Sequence, residues 1–107
     1  MANNPTVNWT KSTSGTPTGY VVSWSVNGTS IGTSNVPVTA AQDTSGYSKD
    51  YASSFVTALN PGDKVGATVK AVDTVNNLQS TDVATSPTTV TIPLPPGPPQ
   101  NVTLTLA

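Results

Sequence analysis

The 107-residue chain has no cysteine, histidine, arginine or glutamate, and its charged side chains are four lysines and five aspartates. Each absence closes a class of function. Without cysteine there is no disulfide, no thiolate nucleophile and no thiolate metal site. Acid–base or nucleophilic chemistry would have to come from Asp, Lys, Tyr, Ser and Thr alone. Asp63 and Asp73 fall at opposite ends of one expected strand, so they cannot act as a carboxylate pair. No catalytic residue is therefore expected, and the chain reads as a non-enzyme. Asp73, Asn76 and Asn77 offer hard oxygen ligands, but their spacing is ordinary turn chemistry, so no metal site and no cofactor are expected. Lys11, Lys49, Lys64 and Lys70 are scattered and leave a net charge of −1. Nucleic acids and anionic membranes are bound by clustered cations, so neither is an expected partner. Long apolar runs are missing too: none approaches the ~18 residues of a membrane span, and Met1–Pro5 lacks the basic and apolar regions of a signal peptide. No window of the sequence carries the apolar stripe of an amphipathic helix, which leaves strands.

The strands are legible from their two-residue period. In Leu59-Asn60-Pro61-Gly62-Asp63-Lys64-Val65-Gly66-Ala67-Thr68-Val69-Lys70-Ala71-Val72-Asp73 a turn feeds one long strand. Val65, Ala67, Val69 and Ala71 share one face, and Gly66, Thr68 and Lys70 share the other. Thr6–Thr10 alternates with Val7 and Trp9 inward, and Tyr20–Asn27 places Tyr20, Val22, Trp24 and Val26 on the core side. Asn27-Gly28 tolerates the positive φ angles of a tight hairpin and returns the chain through Thr29–Thr33. Val36–Thr39 reads as a separate edge strand because Pro37 lacks a ladder donor. Ala40–Tyr51 is polar and reads as a long loop. Ser53–Leu59 reads as a strand with Val56 and Leu59 inward, Asp73–Ser80 as a turn, and Asp82–Ile92 as a last strand, kinked at Pro87, with Val90 and Ile92 inward. The expected fold is all-β, an antiparallel β-sandwich of about seven strands.

Three features occur in order: the Trp9 strand, Gly19-Tyr20-x-Val22-x-Trp24, and Leu59-x-Pro61-Gly62 leading through Lys70–Asp73 to Asn77-x-x-Ser80. Together they resemble a fibronectin type III domain over residues 6 to 92, within the wider immunoglobulin-like group. Two departures stand out. The tyrosine expected near the start of the sixth strand is Val65 here, so a tyrosine corner is missing. The strand that opens such domains is missing as well, because only Met1–Pro5 precede Thr6. A matching segment sits at the other end, where Val102, Leu104 and Leu106 alternate in Asn101–Leu106.

The domain organisation expected is a sandwich over 1–92, a Pro-rich linker over 93–100 and a displaced first strand over 101–107. Eight linker residues span roughly 25 Å as polyproline II, against roughly 30 Å for a nine-residue strand, so closure within one chain is marginal. Burying Val102, Leu104 and Leu106 would contribute about 1.5–3 kcal/mol each, comparable together with the stability of a small domain. Strand addition to a neighbouring copy is one use of this tail. Pairing with the chain's own last strand is the other.

Aromatic residues divide into two groups. Tyr20 and Trp24 could stack on sugars if they faced outward, but alternation puts them in the core with Val22 and Val26. Tyr47 and Tyr51 lie in the polar stretch, where they either pack beneath it or contact a partner. The glycosylation-like triplets at Asn8, Asn27 and Asn101 are what a chain so rich in Asn, Ser and Thr gives by chance. The resemblance, with the spare terminal strand, implies a structural or adhesive module, located on a virion or extracellularly. Its expected partners are protein subunits: itself through the C-terminal strand, or a capsid or tail protein. A cell-surface glycan is a further partner class. Candidate partner-binding residues are Val102, Leu104, Leu106, Tyr47 and Tyr51. The alternative is a spacer or carbohydrate-binding accessory module of a secreted bacterial enzyme or adhesin.

Overall fold

The computed structural model describes residues 4–55 and 58–106. Among these, seven strands and one helix follow in order: β1 (Thr6–Trp9), β2 (Gly19–Val26), β3 (Thr29–Pro37), α1 (Ala40–Ser45), β4 (Tyr47–Asp50), β5 (Lys64–Asp73), β6 (Leu78–Gln79) and β7 (Val83–Thr91). All pairings are antiparallel. β1 and β4 form a two-stranded sheet, and β3-β2-β5 form the second, with β6 and β7 sharing the far edge of β5. The protein is therefore β-rich and two-layered.

The two layers meet over a core split into two clusters. In the first, Val7 of β1 faces Val22 and Trp24 of β2, Val65 and Ala67 of β5, Tyr51 and Ile92. In the second, Tyr20 and Val36 meet Tyr47 of β4, with Trp9 packed against both. Each cluster holds an aromatic triad. Trp9 stacks on Tyr47 with centroids 5.7 Å apart, and Tyr20 closes the group at 5.6 and 4.8 Å. Trp24 meets Tyr51 edge-on at 5.7 Å, with Phe55 beside both. These separations are in the range where ring quadrupoles add to area burial. The indole N–H of Trp24 donates to Ser34 Oγ, which donates onward to Ser54 Oγ, so the one buried polar side chain of β3 is satisfied.

The Asn27-Gly28 hairpin is present, with φ of 53° and 82° as a mirror-image two-residue turn needs. Asn27 also ties this turn to the next one, because its Nδ2 donates to Asp63 and its Oδ1 accepts from the Lys64 N–H.

Several sequence expectations are corrected. Val36-Pro37 is not a separate strand but the end of β3, an edge strand whose last residue is the proline. Ala40–Tyr51 is not a loop. Thr39 caps α1 by accepting from the Gln42 N–H, and β4 follows and pairs in register with β1. The polar segment hid the strand because Lys49 stands between Tyr47 and Tyr51 and breaks the apolar alternation. Ser53–Phe55 is a turn and not a strand, and Leu59 packs on the core from irregular chain. Val56 lies outside the described residues. The Asp73–Ser80 turn contains the short strand β6. At the last strand Ile92 is buried, but Val90 is 43% exposed. Pairing to β5 runs Gly66↔Thr89 and then Thr68↔Ala84, so the segment Thr85–Thr88 around Pro87 bulges opposite Ala67.

Beyond Ile92 no strand forms among residues 93–106. In the described residues the tail forms no ladder with β7, the pairing that stood as the alternative to strand addition. Its five prolines at 93, 95, 96, 98 and 99 lack the N–H groups such a ladder needs. The tail projects from the body, so the radius of gyration is 19.3 Å where about 13 Å is usual for a compact chain of this size.

Candidate functional site

Main-chain geometry singles out the outer edge of β1. Tyr51 N–H donates to the Pro5 carbonyl, so the odd residues of β1 point their main-chain groups toward β4. Thr6 and Asn8 point theirs the other way, and β4 is the one strand that pairs β1 among the described residues. That edge therefore presents donors and acceptors ready for another strand.

Beside it, the gap between the two layers stays open. One cleft of about 310 Å³ runs from Pro5–Asn8 across Val65 and Ala67 to Pro87 and Val90. A second, of about 470 Å³, continues from Asn8–Thr10 across Val69 and Ala71 to Ser80, Val83 and Ala84. Along this path Val83 and Val90 are 65% and 43% exposed. The two clefts share Val7, Asn8, Thr85 and Ser86 and together run alongside β1.

The tail holds the other half of the pattern. Val102, Leu104 and Leu106 are 75%, 99% and 100% exposed. Asn101 takes a positive φ of 55°, and the alternating segment follows it. No charged residue occurs from Pro93 to Leu106.

Tyr47 and Tyr51 are 2% and 3% exposed, which corrects their assignment as partner-contacting residues. Of the two alternatives, packing wins because both rings fill the space between the layers. The Tyr47 hydroxyl donates to Asp43 Oδ1 and accepts from the Thr39 N–H. Burial, then the bond to Asp43, pushes this phenol above its usual pKa. Two buried polar atoms, Tyr51 OH and Trp9 Nε1, have no partner among the described residues.

Asp50, Asp63 and Asp73 serve the fold. Asp50 accepts from Asn4 Nδ2 and from Ser53 Oγ, and these bonds lower its pKa to about 2. Asp63 accepts from the Asn60 N–H and Asn27 Nδ2, and sits below the ordinary carboxylate range for that reason. Asp73 accepts from Asn76 Nδ2 and from the N–H groups of Asn76 and Val75, with the same effect. Its oxygens are thus occupied by donors within its own turn. Among the described residues no three His, Cys, Asp or Glu side chains converge.

Sequence reasoning named the tail residues but missed the surface formed by Thr6, Asn8, Val83 and Val90. It could not identify β7 as the other wall, because Val83 and Val90 are seven residues apart and need the bulge at Pro87 to line one groove. Comparisons with protein-family models, with curated proteins and with solved structures yield no match.

Proposed function

We propose that the chain is a fibronectin type III- or immunoglobulin-like sandwich whose first strand is displaced to the C-terminal segment, and that it serves as a non-catalytic assembly module. Its setting is the surface of a virion, as a phage capsid decoration or tail component that joins subunits or contacts the host. The observation that carries the reading is the exposure of Val102, Leu104 and Leu106 on one extended, uncharged segment. Apolar groups presented in this way mark a surface meant to be covered by protein. The absence of cysteine and the Ser- and Thr-rich strands suit a repeated surface subunit, an argument from fold analogy. The alternative, a carbohydrate-binding accessory module, needs aromatic rings on an outer face. Here Trp9, Trp24, Tyr20, Tyr47, Tyr51 and Phe55 all pack in or against the core, which disfavours it.

Immunogold electron microscopy with antibody to the purified chain tests the reading on the particle fraction of cells that produce it. Gold at repeating positions on particles is the expected result. Label confined to soluble secreted enzyme would replace the leading reading with the accessory one.

A further inference from the structure

We infer that the segment Asn101–Leu106 of one copy occupies the open groove of a second copy, pairing with the outer edge of β1. This rests on the assembly reading above and names the partner: another molecule of the same chain. Shape, polarity and chemistry each argue for it. The groove lies along a strand edge whose Thr6 and Asn8 main-chain groups face outward, so an extended segment gains a ladder as well as apolar cover. Its walls are Val7, Ala67 and Val69 inside, with Val83 and Val90 at the rim. The tail supplies Val102, Leu104 and Leu106 with the two-residue period that sends all three to one face. Neither charge nor helix stands in the way, since the segment from Pro93 to Leu106 is uncharged and Lys70 is the one charged residue lining the groove.

The direction of pairing follows from the two ends of the body. The tail leaves at Ile92, which hydrogen-bonds to Gly62 and Asp63 beside the Asn27 turn. The Pro5 end of β1 lies at that same pole, next to Val90, while the Thr10 end lies at the opposite pole, next to Ser80 and Val83. A donated strand running antiparallel to β1 therefore enters at the Thr10 pole. Each copy then receives at one pole and donates at the other, and the donor's body lies clear of the acceptor's own tail. A parallel strand would bring both to one pole. Antiparallel donation is a heterologous contact, so it builds a line of copies joined by Pro-rich linkers, or a ring where the rotation closes. For the chain's own tail to pair antiparallel with β1, the linker would first have to retrace the length of β7 with about equal length and no slack.

Sedimentation velocity of the full-length chain, from dilute to concentrated, reads the result directly. Mass should rise with concentration through dimer to longer species. Leu104→Asp, at a side chain 99% exposed, cannot disturb the isolated fold, and it should weaken association about a hundredfold or more. The synthetic peptide spanning residues 98–107 should bind this monomeric variant one to one, read by the fluorescence of Trp9, which lines the groove. In the wild type the same peptide should shorten the assemblies by capping grooves. Three outcomes each overturn the inference: a monomer at every concentration, association unchanged by Leu104→Asp, or a monomer whose tail amides are protected from exchange, which would mean closure within one chain. Gold labelling of particles together with any of these would leave the assembly reading standing and remove only the second copy as partner.

Discussion

At the residue scale, the two tyrosines of the central segment make opposite demands on the core. The Tyr47 hydroxyl has partners in Asp43 and Thr39, whereas the Tyr51 hydroxyl is buried without one among the described residues. A buried hydroxyl with no partner costs about 1–3 kcal/mol in lost hydration, while a satisfied one contributes about 1 kcal/mol. Tyr51→Phe should therefore leave stability unchanged or raise it by about 1 kcal/mol, and Tyr47→Phe should lower it by a similar amount. Urea denaturation followed by tryptophan fluorescence gives both values, and the reverse ranking would refute the assignment of partners. The carboxylates give a second handle. Asp50 titrates near 2 when folded, held there by Asn4 and Ser53, against about 3.9 in an unfolded chain. A lowered folded value favours the charged form in the native state. Its contribution is thus complete above the unfolded value and disappears as pH falls toward 2. Asp63 and Asp73 are shifted the same way and add to the trend. The melting temperature should fall between about pH 5 and pH 2, and Asp50→Asn should melt lower at neutral pH and with a shallower slope in that window. Identical slopes for the two proteins would show that Asp50 is not tied down as described.

At the scale of elements, β3 carries the irregularity that fits it to the core. Trp24 pairs with Gly32 and Ser25 with Ser30, so Ile31 is the extra residue of a bulge. Gly32 takes a φ of 149°, and a Cβ there would come within 2.8 Å of Phe55 Cε1. Gly28 also has positive φ, but its surroundings are open. Gly32→Ala should cost about 1–3 kcal/mol and Gly28→Ala less, because only the first adds a clash to the backbone strain. Equilibrium urea titration of the two variants orders them, and a larger loss at Gly28 would contradict the account. How far such elements were legible depended on whether the signal was local. β2 and β5 declare themselves because Tyr20-x-Val22-x-Trp24 and Val65-x-Ala67-x-Val69 alternate cleanly, and the Asn27-Gly28 turn carries its own backbone chemistry. β4 did not, since its inward row reads Tyr47, Lys49, Tyr51. α1 was marked by Thr39-x-x-Gln42, where the Thr39 hydroxyl accepts from the Gln42 N–H and donates to Gln42 Oε1, yet it buries no side chain and so leaves no periodicity to read. The groove was the least legible of all, because it is made by residues from β1, β5 and β7 that only the fold brings together.

At the scale of the whole molecule, the body and the tail present complementary defects. One layer has two strands where the other has five, and the smaller layer ends at the bare edge of β1. The tail offers three apolar side chains that the body of its own chain leaves uncovered. If copies complete one another, folding and association are linked, because the donated strand binds the folded groove and not the unfolded chain. The melting temperature of the wild type should then climb with protein concentration, by a few degrees for each 1–2 kcal/mol of binding, on the usual scaling for a domain of this size. Val102→Asp and Leu104→Asp, both on the exposed tail, should melt at a single temperature whatever the concentration, equal to that of the wild type at high dilution. Differential scanning calorimetry across a dilution series makes the comparison. A concentration-independent wild type would mean that the open edge of β1 is left to another protein, and a concentration dependence retained in both variants would place the contact elsewhere on the body.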